Sequence, residues 1–280
     1  MIRVARLGVR RGLIELRQSL SSASDLFGYL LPAVFLVIAL FLMRDSTIPG
    51  TAFALGAHTL VGSLAMLIVI SGFMSMMQYL SMEREDGTLL RAKATPNGMA
   101  GYLVGKIVLV AGVSVISCLF ALVPGLFLVD GLTFGVDRAL VLLWLTPLAF
   151  LATMPFGAVL GSIFDNPRNA AMLMLPLIAL TAVSGIFYPI TALAGWLQGV
   201  AQVFPIYWLG LGLRSAFLPD ALAAAELGGT WRHLETFGVL AAWSVIGLLL
   251  APGILRRMAR RESGSAVAAR RERAMTRMSV

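Results

Sequence analysis

The sequence predicts an all-α integral membrane protein with six transmembrane helices, and three observations carry that prediction. First, 59% of its 280 residues are hydrophobic and only 13% are charged. A soluble domain has roughly 45–50% and roughly 25%, so this chain could not cover its own surface in water. Second, six apolar stretches, 27–43, 55–80, 102–129, 139–163, 170–188 and 237–255, hold a single charge, Lys106. A bilayer-crossing helix needs about 20 such residues. Third, the connecting segments share their Lys and Arg unevenly. Segments 1–26, 81–106, 164–169 and 256–280 carry 18 of the 22, and 44–54, 130–138 and 189–236 carry the other 4. The positive-inside rule puts the richer set, with both termini, in the cytoplasm. The net charge of +8 gathers at the two ends of the chain, where it attracts anionic membrane lipid rather than nucleic acid. Soluble enzymes and nucleic-acid-binding domains are excluded.

The first span follows a basic region and could pass for a signal peptide, with Ala52-Phe53-Ala54 as a cleavage site. That basic region is 26 residues long and Ala54 lies 11 residues past the apolar run, so the span is read as retained. Span two carries small polar residues at helical spacing, Ser63, Ser71, Ser75 and Gln78, and span five offers Thr181, Ser184 and Tyr188. Two readings stand for these: a path for an amphipathic molecule, or hydrogen-bonding glue between helices. The Gly101/Gly105 and Gly157/Gly161 pairs read as packing sites. Met66, Met74, Met76, Met77, Met172 and Met174 supply adaptable apolar surface, suited to an apolar substrate and equally to core filling. The single cysteine, Cys118, falls within span three and cannot form an intrachain disulfide.

Two connections have real length. In 81–101, an acidic cluster extends span two, and Gly87 is placed to end that helix in the left-handed conformation. Thr88 is read as the cap of a new helix over 88–94, and Pro96-Asn97-Gly98 as a turn. On spacing alone, the segment is either a rigid docking element between two spans or a solvated loop whose charges stop the spans from sliding. The other connection, 189–236, holds Trp196, Phe204, Tyr207, Trp208, Phe217 and Trp231, an aromatic load typical of interfacial helices. Leu193, Trp196, Leu197, Val200, Val203 and Phe204 repeat as an amphipathic stripe. Short helices that dip back into the outer leaflet and pack on the bundle are expected.

Catalytic chemistry finds no support. The two histidines, His58 and His233, lie at span ends or outside, and no catalytic residue and no metal-ligand set is expected. Gly101 to Lys106 fails as a phosphate loop, because Ala100 and Ile107 stand where glycine and Ser/Thr are required. The chain is therefore read as binding no cofactor itself. An ion-gradient-driven secondary transporter is the first alternative, and it would want an intramembrane acid or base for coupling. An integral-membrane scaffold or enzyme is the second.

The run Glu83-Arg84-Glu85-x-Gly87-Thr88-Leu89, then Ala94-Thr95-Pro96 and Gly105-Lys106, resembles the signature of the ABC transporter type 2 permeases, membrane subunits of drug-resistance and related exporters. Ser184-Gly185-Ile186-Phe187-Tyr188-Pro189, with Trp196-Leu197-Gln198, Pro205 and Leu213-Arg214 after it, resembles that family's fifth-span end and external re-entrant helices. Ala194, the Tyr207-Trp208 pair and Leu211 depart from the family's usual residues. The resemblance implies that 81–98 contains a coupling helix seated in a groove of a separate ATPase, with Glu83, Arg84, Glu85, Gly87, Thr88, Leu89, Arg91, Thr95 and Pro96 at the coupling site. It implies an interface helix over 1–24. There Ile2, Ala5, Val9, Leu13, Leu16 and Leu20 keep helical spacing beside Arg3, Arg6, Arg10 and Arg17, and Leu7 and Ile14 break the pattern. It further implies two ATPase copies carrying ATP and Mg, a second permease copy, identical or related, an outer gate near Phe187 and Pro189, and a path between the copies lined from spans two and five.

Overall fold

The structure is a computed structural model, and it describes residues 2–43, 55–163, 172 and 174–261. Among the described residues every regular element is helical. The first two are α1 (Ile2–Leu20) and α2 (Ala23–Met43). Next, α3 (Leu55–Ile70) and α4 (Met76–Glu85) run on through a π-helical turn, Ser71–Ser75. A two-turn helix, α5 (Thr88–Lys93), leads into the long α6 (Gly98–Leu128) and α7 (Val136–Ile163). Four more follow: α8 (Met174–Val183), α9 (Gly195–Val203), α10 (Pro205–Phe217) and α11 (His233–Arg261).

Five of these units are long and apolar enough to cross a membrane: α2, the continuous α3–α4 unit, α6, α7 and α11. They coincide with five of the six expected spans. The expected fifth span, 170–188, is described only from 174, apart from residue 172, and its helix α8 has ten residues. The rest of that stretch and the connection 44–54 lie outside the described residues, as does 262–280 of the basic tail. The start of that tail is helical, because α11 continues past 255 to Arg261.

Small residues set the helix crossings. Gly8 and Gly12 of α1 meet Gly101 and Gly105 of α6, four residues apart on each helix. A Cβ at Gly8 would lie 2.6 Å from the Gly101 carbonyl oxygen, and one at Gly12 would collide with that of Gly105. Paired small residues let two backbones touch, as in membrane helix dimers. The face of α1 on the bundle is therefore Gly8, Gly12 and Ser19, all buried, whereas Leu7, Val9, Leu13 and Ile14 are exposed.

The aromatic connection packs more deeply than an interfacial segment. Every residue of α10 is buried, enclosed by α3, α7 and α11. Tyr207, Trp208, Phe217 and Trp231 belong to the core and Trp196 is exposed. Pro205 opens α10, where its missing N–H is not needed. α9 turns Trp196, Val200 and Val203 outward, the apolar stripe read from the sequence.

Candidate functional site

Glycine geometry shapes the 81–98 segment. Gly87 ends α4 at φ 80°, the left-handed region that favours glycine. The cap of α5 differs from the expected one: the Asp86 carboxylate accepts the Thr88 backbone N–H at 2.7 Å, and Thr88 is the first helical residue. Asp86 wins because its side chain reaches the N–H two residues on, the Asx-turn geometry. Asn97, at φ 55°, precedes α6, and a Cβ at Gly98 would collide with the Ala92 carbonyl oxygen. Thr95 Oγ1 donates to that same carbonyl at 2.9 Å. Leu89 and Ala92 are buried, whereas Arg91, Lys93, Thr95 and Pro96 are exposed. Glu83 and Arg84 are buried at the end of α4, and the side chain of Glu85 lies outside the described residues. One neighbour was not foreseen. The end of α11 reaches this segment, with Arg256 Nη2 donating to Asn97 Oδ1 at 3.2 Å and Lys93 Nζ to the Arg260 carbonyl at 3.5 Å.

The helices on either side of α5 in the chain, α4 and α6, share a buried ionic cluster. Lys106 of α6 places its ammonium 2.6 Å from Glu15 of α1 and 2.5 Å from Glu83 of α4, with Arg11 Nε 2.7 Å from the other Glu15 oxygen. The rings of Tyr79 and Tyr102 flank the ammonium, with centroids at 4.9 and 5.9 Å. Three elements are thereby tied through one cation. Burial alone would raise the Glu15 pKa, yet the hydrogen bonds from Lys106 and Arg11 outweigh it and hold the carboxyl below its ordinary value. A hydroxyl chain extends the tie to α2: Ser19 meets Tyr29 at 2.8 Å, and Tyr29 meets Tyr79 at 2.6 Å. Sequence reasoning singled out Lys106 and Glu83 without pairing them and missed Glu15. The usable signal was a lone lysine in an apolar run, since a buried charge demands a partner, and Glu15 is the one acid in α1.

Further back in the α3–α4 unit, Ser71 and Ser75 begin and end the π turn. Such turns insert an extra residue into a helix and occur often at functional sites. Here the turn packs on α7. A Cβ at Gly72 would collide with Thr153, and one at Gly157 would sit 2.5 and 2.7 Å from the Gly72 and Phe73 carbonyl oxygens. Gly157→Ala is therefore expected to destabilise the protein by about 1–3 kcal/mol through overpacking. Gly253→Ala in α11, which meets nothing within 4 Å, is expected to be neutral or to gain up to about 1 kcal/mol. Thermal unfolding of the two purified variants checks the contrast.

Phe73 and Met74 of this turn line a half-open cavity of about 310 Å³, together with Phe156, Leu177, Ile206 and Trp243 among others. Its lining is apolar throughout. None of Ser71, Ser75, Gln78, Thr181 and Ser184 lines it. Gln78 is exposed, and the hydroxyls of Thr181 and Ser184 bond back to carbonyls of α8, those of Leu177 and Thr181.

A second buried ion pair stands at the other end of the bundle. Arg214 of α10 is 2.7 Å from Glu226, both side chains almost wholly buried. The guanidinium also donates to the Gly185 carbonyl at 2.9 Å and the Ile186 carbonyl at 3.4 Å. Gly185 takes φ 66°, so the chain after α8 reverses there. Phe187 then rests against Gly62 of α3, half-exposed, and Pro189 follows, partly buried. In the sequence Arg214 stands out only as part of a motif, and Glu226, twelve residues on, does not stand out at all. Its signal is the same one: a lone arginine within the run Leu-Gly-Leu-Arg-Ser-Ala-Phe.

With the geometry in place, comparison with known families finds that the profile of the ABC-2 family transporter proteins matches residues 51–252. The chain belongs to the ABC-2 transporter family. Comparison with curated proteins yields no match. As an ABC-2 family member the protein is a multi-pass membrane permease subunit, of the kind that works with an ABC ATPase. The matched region runs from before α3 into α11, so it takes in α5, the π turn, the apolar cavity and the Arg214–Glu226 pair. α1 and α2 precede it, although Glu15 of α1 completes the ionic cluster.

Proposed function

We propose that this permease exports a hydrophobic or amphipathic substrate, a drug-like molecule or a lipid, from the cytoplasm or inner leaflet of the cell membrane. A separate ATPase energises it. Two ATPase subunits, which carry the ATP and Mg, and a second permease copy, identical or related, complete the assembly, with both termini cytoplasmic. In this reading α5 is the coupling helix, and Glu83, Arg84, Glu85, Gly87, Thr88, Leu89, Arg91, Thr95 and Pro96 form or support the face that the ATPase grips. The observation that carries it is the way α5 is held. Its buried Leu89 and Ala92 anchor it inward, and the helices that flank it in the chain, α4 and α6, are joined to each other and to α1 through Lys106. A displacement of α5 is then shared by three helices rather than absorbed by a loop.

Closure of the ATPase pair moves α5, and the differential affinity of nucleotide for the two states of the assembly supplies the free energy. The π turn takes up the change within span two. At the far end, Arg214 holds Gly185 and Ile186, which seats Phe187 and Pro189 as an outer gate. The apolar cavity at Phe73 and Met74 favours an apolar cargo, because unsatisfied polar groups in hydrocarbon cost several kcal/mol each. Ser71, Ser75, Gln78, Thr181 and Ser184 then serve the path mainly as packing and hydrogen-bonding residues of its walls.

Co-reconstitution of the chain with its ATPase tests the reading. Arg91→Glu reverses an exposed charge on α5, and transport of fluorescent amphipathic dyes and phospholipids is expected to fall at least about ten-fold, the equivalent of about 1.4 kcal/mol. ATP hydrolysis and membrane insertion are expected to persist. Unchanged transport in the variant, or transport by the permease alone, overturns the assignment.

A further inference from the structure

The connection into α11 takes positive φ at Gly228 (77°), Gly229 (65°) and Arg232 (47°). Glycine adopts that conformation without steric cost. An arginine there is strained, and such strain persists only where the surroundings hold it. Contacts from three helices hold Arg232. Its guanidinium lies over the Trp208 ring of α10, 4.7 Å from the centroid. Its Nη1 donates to Gln202 Oε1 of α9 at 2.8 Å, and its Nε stands 3.4 Å from Glu235 of α11. Its carbonyl accepts the Thr236 N–H at 2.9 Å, so the strained residue also fixes the first turn of α11.

The element tied down by these contacts is α9. Of its nine residues it buries Ala201 alone, in contrast to the complete burial of α10. Extended residues flank it, Ala194 at ψ 142° and Phe204 at ψ 150°. Two indoles add to the attachment at the same end: Trp208 Nε1 donates to the Gln202 carbonyl at 2.7 Å, and Trp243 Nε1 to the Val203 carbonyl at 2.9 Å. A helix with little buried apolar surface belongs to the low-stability end of a fold, from which moving lids are drawn. The next residues, Phe204 and Pro205, line the apolar cavity, and the Phe204 ring stands 6.0 Å from that of Trp243.

We propose that α9 is a hinged strap at the Phe204 end of the apolar cavity and that Arg232 is its latch. Breaking the contact with Gln202 lets α9 swing about Ala194 and Phe204 and withdraws Phe204 from the cavity wall. Residue 232 then relaxes out of the left-handed conformation. The strain at Arg232 offsets part of what its contacts contribute, so the strap is held closed without being locked. Departure of cargo past the open strap rests on the export reading, whereas the strap and its latch do not.

The test follows amide hydrogen exchange in the purified full chain without its ATPase, so failure here leaves the export reading standing. In the native chain, amides of α9 are expected to exchange at least about ten-fold faster than those of α10. Arg232→Gly removes the latch and suits the backbone. It is expected to speed α9 exchange about ten-fold more, through loss of a cation–π contact and a charge-assisted hydrogen bond less the strain relieved. Exchange in α10 and the Tm are expected to stay as in the native chain. Gln202→Glu offers Arg232 a carboxylate and is expected to slow α9 exchange several-fold, an effect that disappears when Arg232→Gly is added. Unaltered α9 exchange in Arg232→Gly overturns the latch, as does a Gln202→Glu variant that slows α9 with or without Arg232. Exchange in α10 that rises in step with α9 overturns the strap, because Arg232 then supports the bundle as a whole.

Discussion

Lys106→Met is expected to destabilise the protein by about 3–5 kcal/mol, the usual cost of breaking a buried ion pair by removing one partner. The lysine side chain is 5% exposed, and it is the shared partner of Glu15 and Glu83. Without it two carboxylates face each other in a low-dielectric site, with Arg11 alone still beside Glu15. An apparent Tm lower by on the order of 10 °C follows for a chain of this size, read by thermal unfolding in detergent. Lys106→Met combined with Glu83→Gln is expected to recover a substantial part, because one of the opposed charges is gone. The pH dependence has a definite sign. The Glu15 pKa is lowered from 4.5 by its cationic partners, so its contribution is fully present above about pH 4.5 and is lost as acid takes the pH through the lower folded value. Docking of α1, followed by proteolysis, is expected to loosen in that acid range in the native chain and to be already loose at pH 7 in Lys106→Met. A variant as stable as the native chain would show that the cluster ties nothing together.

Arg214→Met is expected to cost a similar amount, about 3–5 kcal/mol, by leaving Glu226 buried and unpaired. Here a second variant separates folding from transport. Arg214→Met with Glu226→Gln removes the orphan charge and is expected to restore most of the stability, yet it returns no donor to the Gly185 and Ile186 carbonyls. Transport by the double variant is therefore expected to stay low while its Tm recovers. Arg214→Lys is expected to fall between the two, since an ammonium cannot reproduce the planar fork that reaches a carboxylate and two carbonyls at once. Full transport by the stable double variant would separate Arg214 from the proposed outer gate.

These clusters mark the limit of what the sequence discloses. The spans were legible because hydropathy over about 20 residues is a local property, and α2, the α3–α4 unit, α6, α7 and α11 lie where the pattern put them. The turns of 81–98 were legible for the same reason: Gly87 and Pro96-Asn97-Gly98 are local turn chemistry, although the capping residue differed. Pairings across the fold were not. Glu15 and Lys106 are 91 residues apart, and nothing in either neighbourhood names the other. The glycine face of α1 was hidden because a stripe search scores large apolar residues, whereas Gly8 and Gly12 matter for what they lack. The π turn leaves no compositional mark, since one extra residue in an apolar helix looks like any other. For 189–236 the sequence predicts short helices that dip into the outer leaflet and pack on the bundle; the full burial of α10 goes deeper than that, because composition does not distinguish a ring facing headgroups from one facing α7.

The complete burial of α10 constrains how the chain is made. This helix is synthesised before α11, yet α11 forms part of its enclosure, and Arg214 finds its carboxylate partner only in the residues that follow it. During biogenesis Arg214 must therefore wait for Glu226, and the apolar segment must wait longer, until α11 emerges from the ribosome. Truncation within α11 should leave α10 a target for quality-control proteases, although every residue of α10 is still present.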